Sequence, residues 1–217
     1  MQSAGIILCG GQSSRMGTAK LALPFGPETM LHRIVRLLGE VCRPIVVVGA
    51  VDQPLPDLPP DVLVTRDRRA ERGPLEGLWA GLSALPDDVT AAYATSCDVP
   101  LLAPAFVQRM LNLLGDHAAA VPIGGGFLHP LAAVYRRSLI DVIETLLAAD
   151  RLRPAFLFDT VSTRRVSEDE LRDVDPQLNT LKNLNHPADY LAAMAEAGFR
   201  VPDEMRAMLE KNRRPES

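Results

Sequence analysis

Short apolar, β-branched runs alternate with amphipathic stretches along most of this chain, and that alternation leaves few folds open. Residues 4–9, 45–49, 62–65, 91–96 and 118–123 have the length and composition of buried parallel strands. Between them, residues 29–41 carry Leu31, Ile34, Val35, Leu37 and Leu38 at helical spacing. Residues 74–85 and 104–114 each open on a proline, the residue a helix tolerates best in its first turn. The pattern predicts an α/β fold: a single doubly wound, mostly parallel sheet with helices on both faces. Such sheets bind ligands at the carboxyl ends of their strands. After Gly124-Gly125-Gly126 the spacing shifts. Residues 131–135 read as a further strand and 162–166 as an edge strand, with helices over 139–149, 154–158 and 187–197. At 217 residues, 47% of them hydrophobic, the chain suits one domain with a real core and a short tail from residue 201.

The first strand runs into Leu8-Cys9-Gly10-Gly11-Gln12-Ser13-Ser14-Arg15-Met16-Gly17-Thr18-Ala19-Lys20. Three glycines let backbone N–H groups approach an anion, and Arg15 and Lys20 supply charge to neutralise it. The spacing is not that of a P-loop, because Gly17 is followed by Thr18 and Ala19 rather than Lys. It is not a dinucleotide fingerprint either, because Gly10 and Gly11 are adjacent. A triphosphate site of another type is the expectation.

Asp98 ends the strand candidate at 91–96, within Cys97-Asp98-Val99-Pro100. A carboxylate there suits Mg²⁺, which takes one or two carboxylates and leaves the rest of its shell to water and phosphate. Asp98 reads equally well as an Asx turn before Pro100; the adjacent Gly-rich loop favours the metal. Asp67 lies among Arg66, Arg68, Arg69 and Arg72. The alternation of charges reads as a solvated face for most of these arginines, with Asp67 placed to accept hydrogen bonds from a base or ribose. Gly73-Pro74-Leu75-Glu76-Gly77 opens a helix whose free N–H groups suit a phosphate or a base edge, or simply start the helix. His129, before Pro130, can orient a substrate or move a proton, although a lone histidine is more often structural. His32, His117 and His186 read as surface residues.

The net charge of −4 argues against nucleic-acid binding. No apolar run approaches the roughly 18 residues of a membrane span, and no cleavable leader is evident. Cys9, Cys42 and Cys97 are odd in number and lack metal-binding spacing, as reduced cytoplasmic thiols would. No GxSxG elbow or Ser-His-Asp order supports covalent hydrolysis.

Taken together, Leu8 to Lys20, Asp67 with the segment from Gly73 to Gly77, Cys97 to Pro100, His129 to Tyr135 and Asn183-Leu184-Asn185-His186-Pro187 resemble a family. It is that of nucleotidyltransferases joining a nucleoside monophosphate to a phosphorylated acceptor, and within it the MobA-type molybdenum cofactor guanylyltransferases. The resemblance implies a nucleotidyltransferase domain over residues 1–200, with nucleotide binding in 1–123 and acceptor binding in 124–200. The tail at 201–217 is expected to be helical or disordered. The substrates implied are GTP and molybdopterin, with Mg²⁺ as cofactor. Molybdoenzymes or cofactor-insertion proteins are the protein partners it admits. By resemblance, Leu8, Cys9, Gly10 and Gly11 hold guanine and ribose, Arg15 and Lys20 the triphosphate, Asp67 and Gly73 the nucleoside, and Asp98 the metal. His129, Arg151, Arg153, Asn183 and Asn185 fall on the acceptor side.

Three positions depart from the family pattern. Cys9 stands for the usual Ala, Ala19 for a common Asp, and Gly49 for an Asn often found at the end of the second strand. The alternatives are a cytidylyl- or sugar-phosphate nucleotidyltransferase of the same fold, and a nucleotide-binding module without catalysis.

Overall fold

A computed structural model describes residues 3–10 and 20–201, together with Asp203 and Arg206. Gly11, Arg15 and most of the tail lie outside the described residues. The strands, in chain order, are β1 (Ser3–Leu8), β2 (Pro24–Phe25), β3 (Glu28–Thr29), β4 (Ile45–Gly49), β5 (Val62–Arg66), β6 (Ala91–Ser96), β7 (Ala119–Gly124), β8 (Phe127–Leu128), β9 (Ala132–Arg136) and β10 (Thr163–Val166). The helices are α1 (Met30–Leu38), α2 (Pro74–Ser83), α3 (Pro104–Leu113), α4 (Ile140–Ala148), α5 (Pro154–Thr160) and α6 (Pro187–Glu196).

The main sheet runs β10-β7-β9-β6-β1-β4-β5, with β8 paired to β7. The pairs β1–β4, β1–β6, β4–β5 and β7–β10 are parallel, whereas β9 runs antiparallel between β6 and β7. The expected mostly parallel sheet is therefore present, with β9 and the short β8 reversed. The reason is local: β8 and the tight Gly125-Gly126 turn send the chain straight back, with no helix to carry a crossover.

Two apolar layers sandwich the sheet. On one face Ile7, Val47 and Tyr93 pack beneath Leu31, Ile34 and Leu38 of α1 and Phe106, Val107 and Met110 of α3. On the other, Ile6, Val46 and Ala94 meet Leu75, Leu78 and Leu82 of α2 and Ile143 and Leu147 of α4. Central strands carry apolar residues on both faces because both are covered. A third small cluster joins Phe25 and Met30 to Tyr190 and Met194 of α6, and the Tyr190 hydroxyl donates to the Pro24 carbonyl.

Two expectations need correction. The strand at 62–65 is not buried: it is the sheet edge, and Leu63 and Val64 are exposed. Its apolar composition alone could not distinguish an edge from an interior strand. Of the arginines after it, Arg68 and Arg69 are exposed and Arg72 is partly buried, and they are not all simply solvated. Arg68 lies over the Trp79 ring and pairs with the buried Glu76 and with Glu144, while Arg72 pairs with Asp150 and donates to the Leu147 carbonyl. The edge strand at 162–166 is found as expected. Among the described residues no helix is long and apolar enough to cross a membrane.

Candidate functional site

Sheet order reverses at β1: β4 and β5 lie on one side of it and β6 on the other. Leu8 pairs with both Val48 and Ser96, so the carboxyl ends of these strands finish level. A crevice opens beyond strand ends at such a switch point. Two adjoining cavities fill it, of about 180 and 710 Å³, sharing Leu8, Gly10, Gln53, Ser96 and Leu131.

The smaller cavity holds the charges. Lys20 Nζ donates to Asp98 Oδ2 at 2.9 Å and to Asn185 Oδ1 at 3.1 Å. The other carboxylate oxygen, Oδ1, accepts from Ser96 Oγ at 2.5 Å and from Asn183 Nδ2 at 3.1 Å. Asp98 is almost buried, and its backbone carbonyl accepts from the Leu184 N–H at 2.9 Å. The 183–185 segment, far away in sequence, is thus tied to the end of β6. Neutral donors on Oδ1 fix the orientation of the carboxylate, and Oδ2 faces a cation. Among the described residues no three His, Cys, Asp or Glu side chains converge. The oxygen donors Asp98 and Asn185 fit Mg²⁺ completed by phosphates and water, and do not fit zinc.

The larger cavity holds Asp67. Its carboxylate sits between two glycines: a Cβ on Gly10 would lie 3.4 Å from Oδ2 and one on Gly77 3.3 Å from Oδ1. Burial, with the nearby Glu76 carboxylate, raises its pKa from the usual carboxylate range to about 6. At neutral pH it remains mostly an anion and a hydrogen-bond acceptor. Gly73 and Pro74, at the start of α2, line the same cavity. Gly73 has φ of 71°, a left-handed conformation that glycine adopts without strain. Proline stands in the first turn of that helix, where its missing N–H costs no hydrogen bond, and the Glu76 N–H donates back to the Gly73 carbonyl at 3.2 Å.

Several residues singled out from the sequence converge here: Leu8, Cys9, Gly10, Lys20, Asp98 and Asn183 line the smaller cavity, and Asp67 and Gly73 the larger. Cys9 and Cys97 meet across neighbouring strand ends, and their hydrogen bond, with burial, pushes the Cys9 thiol well up. His129 lines neither cavity; its Nε2 lies 3.2 Å from the Gly124 carbonyl, and its N–H donates to Pro122, so it braces the β7–β8 hairpin. Arg151 covers the Phe156 ring and Arg153 precedes α5 as its N-cap; neither lines the two cavities. Two residues carry roles the sequence reading missed. Ser96 holds Asp98, and its position two residues ahead of the acid at a strand end was the available signal. Gln53, in the turn after β4, touches the Cys9 carbonyl and borders both cavities.

Comparison with known proteins identifies the family of the chain. Residues 5–164 match the model of the MobA-like NTP transferase domain. A relative from Pelotomaculum thermopropionicum, named "Probable molybdenum cofactor guanylyltransferase", is 33% identical over 201 residues, which is 91% of this chain and 94% of the relative. One of the same name from Mycobacterium avium is 36% identical over 202 residues, covering 91% and 97%. Molybdopterin-guanine dinucleotide biosynthesis protein A from Archaeoglobus fulgidus superposes with a TM-score of 0.75 at 16% identity, over 90% of this chain and 98% of that one; this likeness is one of fold.

Proposed function

We propose that this chain, which belongs to the MobA-like NTP transferase family and is a nucleotidyltransferase, transfers GMP from GTP to the phosphate of molybdopterin. The products are the guanine dinucleotide cofactor and pyrophosphate. The observation that carries the chemistry is the meeting of Lys20 and Asp98 at 2.9 Å beside a cavity large enough for a nucleoside.

The nucleoside lies in the larger cavity, where Asp67 accepts hydrogen bonds from it and the backbone at Leu8, Cys9 and Gly10 meets the base. The triphosphate runs toward Lys20, with Arg15, which lies outside the described residues, as a second cation. Lys20 exchanges Asp98 for phosphate oxygens, and Asp98 Oδ2 is then open to Mg²⁺. Asp98 would hold Mg²⁺, which would supply positive charge to offset that of the phosphates and of the leaving group. An oxygen of the molybdopterin phosphate attacks the α-phosphorus in line. The new P–O bond forms as the α–β bridge breaks, and its electron pair leaves with pyrophosphate. The attacking oxygen is already ionised, so no side chain needs to remove a proton. Lys20 stabilises the pyrophosphate as it departs.

The acceptor approaches from residues 124–200, with Asn183 and Asn185 nearest the reacting phosphates. The free, buried Cys9, Cys42 and Cys97 suit a reducing cytoplasm. The test is pyrophosphate release with molybdopterin and each nucleoside triphosphate in turn. Release with GTP and Mg²⁺ alone is the expected result. Release with CTP and none with GTP would reverse the base assignment.

A further inference from the structure

The last rung between β1 and β4 is not closed by backbone. Cys9 N–H donates to the Val48 carbonyl at 2.8 Å, continuing the parallel ladder of the preceding residues. In a regular parallel pair the next bond would run from Ala50 N–H to the Cys9 carbonyl. Here the Gln53 side chain stands between those two groups. Its Oε1 accepts from Ala50 N–H at 2.9 Å, and its Nε2 donates to the Cys9 carbonyl at 3.0 Å. The amide takes the place of one direct hydrogen bond with two, and holds the strand ends an amide's width apart.

Arg66 fixes the turn that delivers Gln53. From β5 its Nη1 donates to the carbonyls of Ala50 and Gln53 at 3.0 and 2.7 Å. The same guanidinium explains Gly49: a Cβ there would lie 3.1 Å from Nη1. A side chain at the end of β4 would press on the clamp, and the guanidinium would have to give by a few tenths of an ångström. The polar group at this corner comes instead from four residues further along.

We infer that Gln53 is a positioning residue for the nucleotide: its amide wedges β1 from β4 and aims the Cys9–Gly10 backbone into the nucleoside cavity. Three observations support this. Gln53 borders both cavities, the groups it separates are the carboxyl ends that flank them, and Gly10 follows directly on the carbonyl it holds. Without the wedge, Ala50 N–H and the Cys9 carbonyl satisfy each other, and the crevice narrows. The inference rests on the nucleotide-binding reading above.

The test is binding of Mg-GTP and Mg-CTP by calorimetry to the wild-type chain, Gln53→Ala and Gln53→Glu, with thermal unfolding alongside. Gln53→Ala should bind the preferred nucleotide about tenfold more weakly while unfolding near the wild-type temperature, since the direct rung replaces the lost bonds. Gln53→Glu keeps the acceptor for Ala50 but sets a carboxylate against the Cys9 carbonyl. It should bind poorly at pH 8 and recover as pH falls toward the carboxyl's pKa, which the facing Cys9 carbonyl raises by favouring the protonated acid that donates again. Arg66, Asp67, Lys20 and Asp98 are common to all three proteins, so the ratio to wild type at each pH isolates position 53. Gln53→Ala binding within twofold of wild type, or Gln53→Glu showing no recovery relative to Gln53→Ala, would overturn the inference. A wild-type preference for CTP overturns the guanine assignment alone, and the ratios are then read on CTP.

Discussion

Asp67→Asn should make the protein more stable and bind nucleotide worse. The Asp67 carboxyl is half-buried between Gly10 and Gly77, with Glu76 near it, and its pKa rises from 3.8 to about 6. Between those values the folded state binds more protons than the unfolded chain, so stability falls as pH rises through this window. Above pH 6 the whole penalty is present. Two pK units correspond to about 3 kcal/mol. The carboxyl is only half-buried, and solvent screening leaves about 1.5 kcal/mol. Asparagine has a similar shape and no charge to desolvate. For a chain of this size the gain raises Tm by about 3–5 °C at pH 8. At pH 4.5, where folded wild type already carries the proton, it falls to about a third of that. Differential scanning calorimetry of both proteins at the two pH values reads the gain, and GTP calorimetry reads the loss of the acceptor. Equal Tm values at pH 8, or a gain independent of pH, would refute the argument that Asp67 is held against its own desolvation.

Asp98→Ala should reduce pyrophosphate release to near background while far-UV circular dichroism stays unchanged, because the side chain joins a site rather than a core. Lys20→Met should weaken GTP binding by about 1.5–3 kcal/mol, the loss of a hydrogen bond to a charged group. The same variant should bind Mn²⁺ more tightly without nucleotide, measured by electron paramagnetic resonance, since Lys20 no longer occupies Asp98 Oδ2. Unchanged metal affinity would show that the ion pair does not compete. Gly81→Ala should destabilise, although alanine is the better helix former by about 1 kcal/mol. Its Cβ would lie 2.6 Å from Ile6 Cγ2 on β1, and overpacking of this kind costs about 1–3 kcal/mol in denaturant unfolding.

Much of the fold was legible because its periodicities are local. Apolar runs of five or six residues marked β1, β4, β6 and β7, and prolines marked the first turns of α2, α3, α5 and α6. The edge position of β5 was not legible, since Val62, Leu63 and Val64 would suit an interior strand equally well. Within the site, Asp67 and Asp98 stood out because charged residues at strand ends are conspicuous in an apolar pattern, and Lys20 because it closes a glycine-rich loop. Ser96, Gln53 and the tie between Asn183 and Asp98 did not, because a neutral side chain acquires a role only from what it touches.

The sequence by itself determined that strands and helices alternate, that a glycine-rich loop with Lys20 follows the first strand, and that carboxylates end two others. Those are properties of neighbouring residues, set by side-chain volume, polarity and backbone freedom. Only the tertiary structure decided that Asn183, 85 residues beyond Asp98, grips its Oδ1 while Lys20 faces Oδ2. It likewise decided that Gln53 stands in the last rung between β1 and β4. Hydrogen bonds of about 3 Å between distant segments depend on how the sheet orders and twists its strands, and no local pattern records that order.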